Sequence, residues 1–176
     1  MAENANKLKT NRGLFKTILL TIVTLGIYQL YLRHAWAKET NIACNGDGKK
    51  TTGLLLLCLF GILTLGIYVI VWHWKFANRT EAFLKANGKS ARISGLGWFL
   101  WSWLGAMIVV GPLIALYRLI HQANDVNEIY NAQLEAAASA TAEEAAPATE
   151  EAPAPAEEEA PAAEEAPAEA PSADEE

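Results

Sequence analysis

A chain of 176 residues with 14 Lys plus Arg against 20 Asp plus Glu carries the net charge, −6, of an ordinary acidic soluble protein. The charges are segregated, however. Every base lies at or before Arg118 and only six acids precede residue 132, so the body has a surplus of eight positive charges and the tail of fourteen negative ones, which excludes a single evenly solvated domain.

The body, about 130 residues, has the length of one domain. It contains three long, nearly uncharged stretches, more apolar surface than a water-soluble fold of this size can cover. The expectation is therefore all-α: a three-helix integral membrane protein with amphipathic helical extensions and a disordered acidic C-terminal tail. Its divisions are a basic N-terminal segment (residues 1–12), a three-span membrane domain with internal repeats (13–131) and an Ala/Pro/Glu-rich tail (132–176).

In chain order, Lys7, Lys9 and Arg12 precede the first apolar run, with Ala35 and Ala37 spaced as a cleavage site would be. Arg33, His34 and Trp36 spoil that site, so the run is read as body and not as a signal peptide. The spans are placed at residues 14–32, 53–74 and 95–117. At 1.5 Å per helical residue each reaches roughly 28–34 Å, enough for a hydrocarbon core of about 30 Å. Aromatic residues mark their ends: Tyr28, Tyr31 and Trp36, then Tyr68, Trp72 and Trp74, then Trp98, Trp101, Trp103 and Tyr117. That is where amphipathic rings settle, at headgroup level. Asn45-Gly46-Asp47-Gly48 reads as a turn and Asn87-Gly88 as a helix stop. From Ala136 onward, prolines between acidic clusters predict an extended coil.

The first two spans are copies of one unit. Thr24-Leu25-Gly26-Ile27-Tyr28 recurs 40 residues later as Thr64-Leu65-Gly66-Ile67-Tyr68, and a decayed third copy begins at Gly111-Pro112. Each span continues into an amphipathic segment: Leu32, Ala35, Trp36 and Ile42; Phe76, Thr80, Phe83 and Leu84; Leu119, Ile120, Ala123, Val126 and Tyr130. Their helical spacing predicts last turns lying on the membrane interface. Gly26 and Gly66 either break the helix or allow close packing. Packing is favoured, because Gly13, Thr17 and Thr21, like Gly111 and Ala115, form small-residue stripes. Pro112 predicts a kink in the third helix. A hairpin at each TLGIY would leave arms of only about 15 Å, too short to cross, which favours continuous spans.

The tandem TLGIY, the Asn45 to Gly53 linker NGDGKKTTG, and the closing Gly111 to Asn131 segment with GPLIALY and an Asn-rich helix resemble a bacterial membrane family known as domain of unknown function 4234. The resemblance covers roughly residues 12–131. It implies a three-span inner-membrane protein with no established activity. Family members often carry a zinc ribbon in front, where this chain has residues 1–12, so no role of that ribbon carries over.

The chemistry is sparse. Span centres hold no charge, with Lys16 and Arg33 close enough to the ends to snorkel. His34, His73 and His121 are read as interface histidines, and Cys44 and Cys58 as reduced thiols. No metal site, cofactor or catalytic motif is expected. Among other groups, only His34, Lys38 and Glu39 lie near one another. Asn78-Arg79-Thr80 fits a glycosylation sequon by chance. Lys75, Arg79, Lys85, Lys89 and Arg92 form a loop attracted to anionic headgroups, not to nucleic acid. The expected partners are the lipid bilayer and a second copy or another membrane protein. The expected role is structural, scaffolding or partner-binding without catalysis. The alternative is a homo-oligomeric pore or small transporter with Thr17, Thr21, Thr24, Gln29 and Thr64 along a wet path. Nine bases against five place the N-terminus in the cytoplasm and the tail outside the inner membrane.

Overall fold

The computed structural model describes residues 7–144; the coil expected for the residues beyond lies outside them. Six helices follow one another: α1 (Leu14–Val23), α2 (Ile27–Ala43), α3 (Leu54–Leu63), α4 (Ile67–Ala86), α5 (Gly95–Trp103) and α6 (Gly111–Glu144). Short 3₁₀ turns occupy Asn45–Asp47 and Gly105–Ile108. The described residues contain no strand, as the all-α expectation requires, and no helix among them is long and apolar enough to cross a membrane.

The expected spans are not continuous. Each breaks into a short apolar arm and a longer helix, at residues 24–26, 64–66 and 104–110. Gly26 and Gly66 sit at φ 90°, in the left-handed region that glycine enters without steric cost, and a Cβ at either would meet nothing within 4 Å. They are helix breakers and not packing glycines. Close packing does occur in the third unit, where a Cβ added to Gly111 would fall on the backbone of Gly105 and where Ala115 is buried. Pro112 lies in the first turn of α6, where its missing N–H costs nothing, so it starts a helix instead of kinking one.

The three longer helices run parallel and in register. Trp36 of α2 stacks on Phe76 of α4 with centroids 5.3 Å apart, and Arg33 reaches His73, each pair 40 residues apart. Gln122 of α6 donates to the Ala77 carbonyl and to Thr80 Oγ1, and Asn127 donates to Glu39. Parallel register puts the starts of α2, α4 and α6, and hence all three breaks, at one end of the molecule. The residues read as interfacial extensions mostly make the core between these helices: Leu32, Trp36, Phe76, Leu119, Ile120 and Ala123 are buried against one another. Ile42 alone of the large ones is exposed. Burying a protein core, and not lying on a surface, is what their periodicity encoded.

The other end is tied together by amide side chains. Asn41 accepts from the Thr51 N–H and donates to its carbonyl, and Gln122 accepts from the N–H groups of Arg92 and Ile93. Asn124, Asn127 and Asn131, on one face of α6 at i, i+3 and i+7, donate to the carbonyls of Arg12, Lys9 and Leu8. The Asn-rich face of α6 thus holds residues 8–12 against this helix. The expected stop at Asn87-Gly88 forms, with the Lys89 N–H donating to the Leu84 carbonyl around Gly88 at φ 72°. Residues 132–144, expected to belong to the coil, are instead helical, because α6 continues to Glu144 through an Ala-rich stretch without proline.

Candidate functional site

The end that carries the breaks is apolar and uncovered. Leu25 is 93% exposed, Leu65 94%, Met107 87% and Val109 79%, and Ile22, Val23, Ile62, Leu63, Leu104 and Ile108 are exposed beside them. The first two of these turns leave no amide N–H unsatisfied. From residue 24 to 29 the N–H groups donate in order to the carbonyls of Leu20, Ile22, Thr21 and Thr24, to Thr24 Oγ1, and to the Gly26 carbonyl. The second copy repeats this with Phe60, Ile62, Gly61, Thr64, Thr64 Oγ1 and Gly66. Each threonine hydroxyl also donates back four residues, to Leu20 or Phe60. The repeated TLGIY is therefore a self-sufficient turn: Thr caps both helices, Gly supplies the positive φ, and Leu25 and Leu65 stand at φ 51° and 49° pointing outward.

Thr24→Val together with Thr64→Val keeps the shape but leaves the Tyr28 and Tyr68 amides without an acceptor. At roughly 1–3 kcal/mol for each unsatisfied donor, the double variant should unfold at a distinctly lower temperature in detergent, while the Ser variants stay near wild type. Equal melting of the Val and wild-type proteins would refute this role for the hydroxyls.

Below the arms lies a collar of ion pairs. Arg12 forms a two-pronged pair with Glu39, both largely buried, and Arg92 pairs with Asp125. Arg79 is the hub of the first linker. Its guanidinium donates to both oxygens of Asp47, to Asn41 Oδ1, to Thr51 Oγ1 and to the Cys44 and Lys49 carbonyls. Read from the sequence as an exposed loop charge, Arg79 is in fact buried. The hydrogen bonds from Arg79 hold the Asp47 carboxyl below the ordinary range. The sequon around it is internal structure, since Asn78 accepts from the Gly95 N–H and Thr80 is buried. A cleft of about 630 Å³ beside Arg79 is walled by Tyr68, Trp72 and Trp74 and edged by Lys49, Lys50 and Lys75, none of which forms an ion pair among the described residues.

The remaining candidates disperse. His34 is exposed, His121 is half-buried against Tyr117, and His73 is core: its ring stacks on Trp98 at 4.6 Å, Nδ1 donates to the Val69 carbonyl, and Nε2 accepts from Arg33. Glu39 is committed to Arg12 and Asn127, so His34, Lys38 and Glu39 form no cluster. Both cysteines are free; burial pushes the Cys44 thiol up to about 11. No group of three His, Cys, Asp or Glu suited to a metal gathers among the described residues.

This geometry defines a class: an all-α body of three helical hairpins, with apolar turns at one end and a basic collar beneath them. Residues 12–82, which take in the first hairpin and most of the second, match the family described as Domain of unknown function (DUF4234). The third hairpin lies outside the match. No curated protein and no solved structure matches the chain.

Proposed function

We propose that the chain is a membrane protein inserted from one side, its three hairpins sunk into a single leaflet, and that it serves as a scaffold or partner-binding element without catalysis. The observation that carries this reading is the pairing of almost fully exposed leucines with turns whose amides need no water. Exposed apolar patches of this kind mark contact with lipid or protein, and backbone placed in hydrocarbon must be satisfied internally. Arms of ten residues measure about 15 Å, half of a hydrocarbon core of about 30 Å. Thr17, Thr21, Thr24 and Thr64 turn their hydroxyls back onto carbonyls of their own helices, which favours a scaffold over a wet conducting path.

In this arrangement the described start of the chain, both linkers and the end of α6 share one side, and none of the 14 bases lies on the opposite side of the membrane. The positive-inside tendency then makes that side the cytoplasm of an inner membrane, with the acidic tail there too. A cysteine at Ser172, in a variant lacking Cys44 and Cys58, tests this with a membrane-impermeant thiol reagent. Labelling is expected only after lysis. Labelling of intact cells would place the tail outside, where an odd number of crossings puts it.

A further inference from the structure

A cleft of about 400 Å³ opens among α2, α4, α5 and α6, roughly 9 Å below the start of α2, at the depth of the short arms. Its walls are mostly apolar, with Ile70 and Leu116 among them, and hold no carboxylate. One cation lines it. Arg33 is half-buried and makes a single hydrogen bond among the described residues, from Nε to His73 Nε2 at 3.5 Å; neither terminal nitrogen of its fork has a partner. His73 gives it no compensating charge, because Nδ1 carries the proton donated to Val69 and Nε2 offers only a lone pair. Trp36, 2% exposed on the same wall, has an indole N–H without any acceptor, and Ser102 adds a hydroxyl.

A half-buried guanidinium with a free fork, beside an orphaned buried donor and with no carboxylate lining the cleft, lacks one thing: an oxyanion. Buried charges are paired or costly, and the Arg fork matches phosphate oxygens in pairs. We infer that this cleft binds the phosphate of one anionic phospholipid, Arg33 holding the headgroup oxygens while the apolar walls take the start of an acyl chain. Arg12, Arg79 and Arg92 each pair with a carboxylate, and Arg118, which has none, is exposed with its guanidinium over the Trp101 ring, so Arg33 is singled out as the half-buried arginine with neither. The inference rests on the one-leaflet reading, since the cleft lies at the depth of the inserted arms.

The test uses the full chain purified in a neutral detergent, with bound lipid counted by native mass spectrometry and stability followed by thermal unfolding. Titration with phosphatidylglycerol should give one retained lipid per chain and a saturable rise in Tm, neither of which phosphatidylcholine reproduces. Arg33→Gln should lower retention by roughly tenfold or more while melting no lower than wild type without lipid, since it removes an unpaired charge. Lys38→Gln, the same charge change on the exposed face of α2, should retain the lipid. Equal retention by the Arg33→Gln and wild-type proteins, or equal retention of both lipids, would overturn the site. An Arg33-dependent rise in Tm of full size with inorganic phosphate alone would overturn the lipid as its source. Flotation with purely zwitterionic vesicles reads insertion separately: if both proteins float and neither selects the anionic lipid, only the site fails; if neither floats, the one-leaflet reading fails.

Discussion

Replacing Leu25 and Leu65 together with Asp should release the protein from lipid vesicles while leaving its fold intact. Both side chains are more than nine-tenths exposed. Burying each in hydrocarbon is worth roughly 1.5–3 kcal/mol, and a carboxylate at bilayer depth costs about 2.5–3.5 kcal/mol on the insertion scale. Two sites sum to about 10 kcal/mol. Halving that for tips that reach only mid-bilayer still leaves a change in partition of more than about 1,000-fold. The substitution does not strain the turn, because both leucines stand at positive φ, where Asp is better tolerated than Leu. Flotation on a density gradient, with circular dichroism as the control on folding, reads the result. If the folded double variant still floats with the vesicles, the hairpin tips are not what holds the protein to lipid.

Arg79→Met should be the most destabilising single change in the collar. Met fills much of the same volume but strands six acceptor contacts at once, including both Asp47 oxygens and the linker carbonyls of Cys44 and Lys49. Asp47 itself is exposed, so the cost comes mainly from the buried acceptors left stranded, the Thr51 hydroxyl and the Cys44 carbonyl, at about 1–3 kcal/mol each, which corresponds to a fall in Tm on the order of 10 °C for a body of this size. Asp47 adds a pH signature. Its folded pKa lies below the unfolded value of about 3.9, so its contribution is complete above that pH and is lost as pH falls through the folded value. The wild-type protein should therefore lose stability more steeply than Arg79→Met below about pH 4. Identical melting of the two proteins at pH 7 would remove Arg79 from the hub.

The sequence by itself determined the all-α class, the tandem unit, the basic body and the Asn87-Gly88 stop, because each of these is local: apolar periodicity, five consecutive identities, charge counts and turn residues need no partner to be read. It also contained the hairpin. Thr-x-Gly is the signal of a helix that ends and restarts, and an arm of about 15 Å is indeed too short to cross. The continuous span followed only from the added premise that every apolar run crosses. Whether a glycine breaks or packs is decided by φ and by what its absent side chain would meet, and both depend on the neighbouring helix. Parallel register was likewise beyond the pattern, since the facing of Trp36 on Phe76 and of Gln122 on Thr80 comes from packing between units 40 or more residues apart. So the same amphipathic stripes that read as interfacial surface became core. Charge carried the least of its meaning in the sequence: Arg33 looked like a snorkelling span end and Arg79 like a loop base, and only the fold, by supplying a single histidine to Arg33 and six acceptor contacts to Arg79, made the first a candidate site and the second a structural hub.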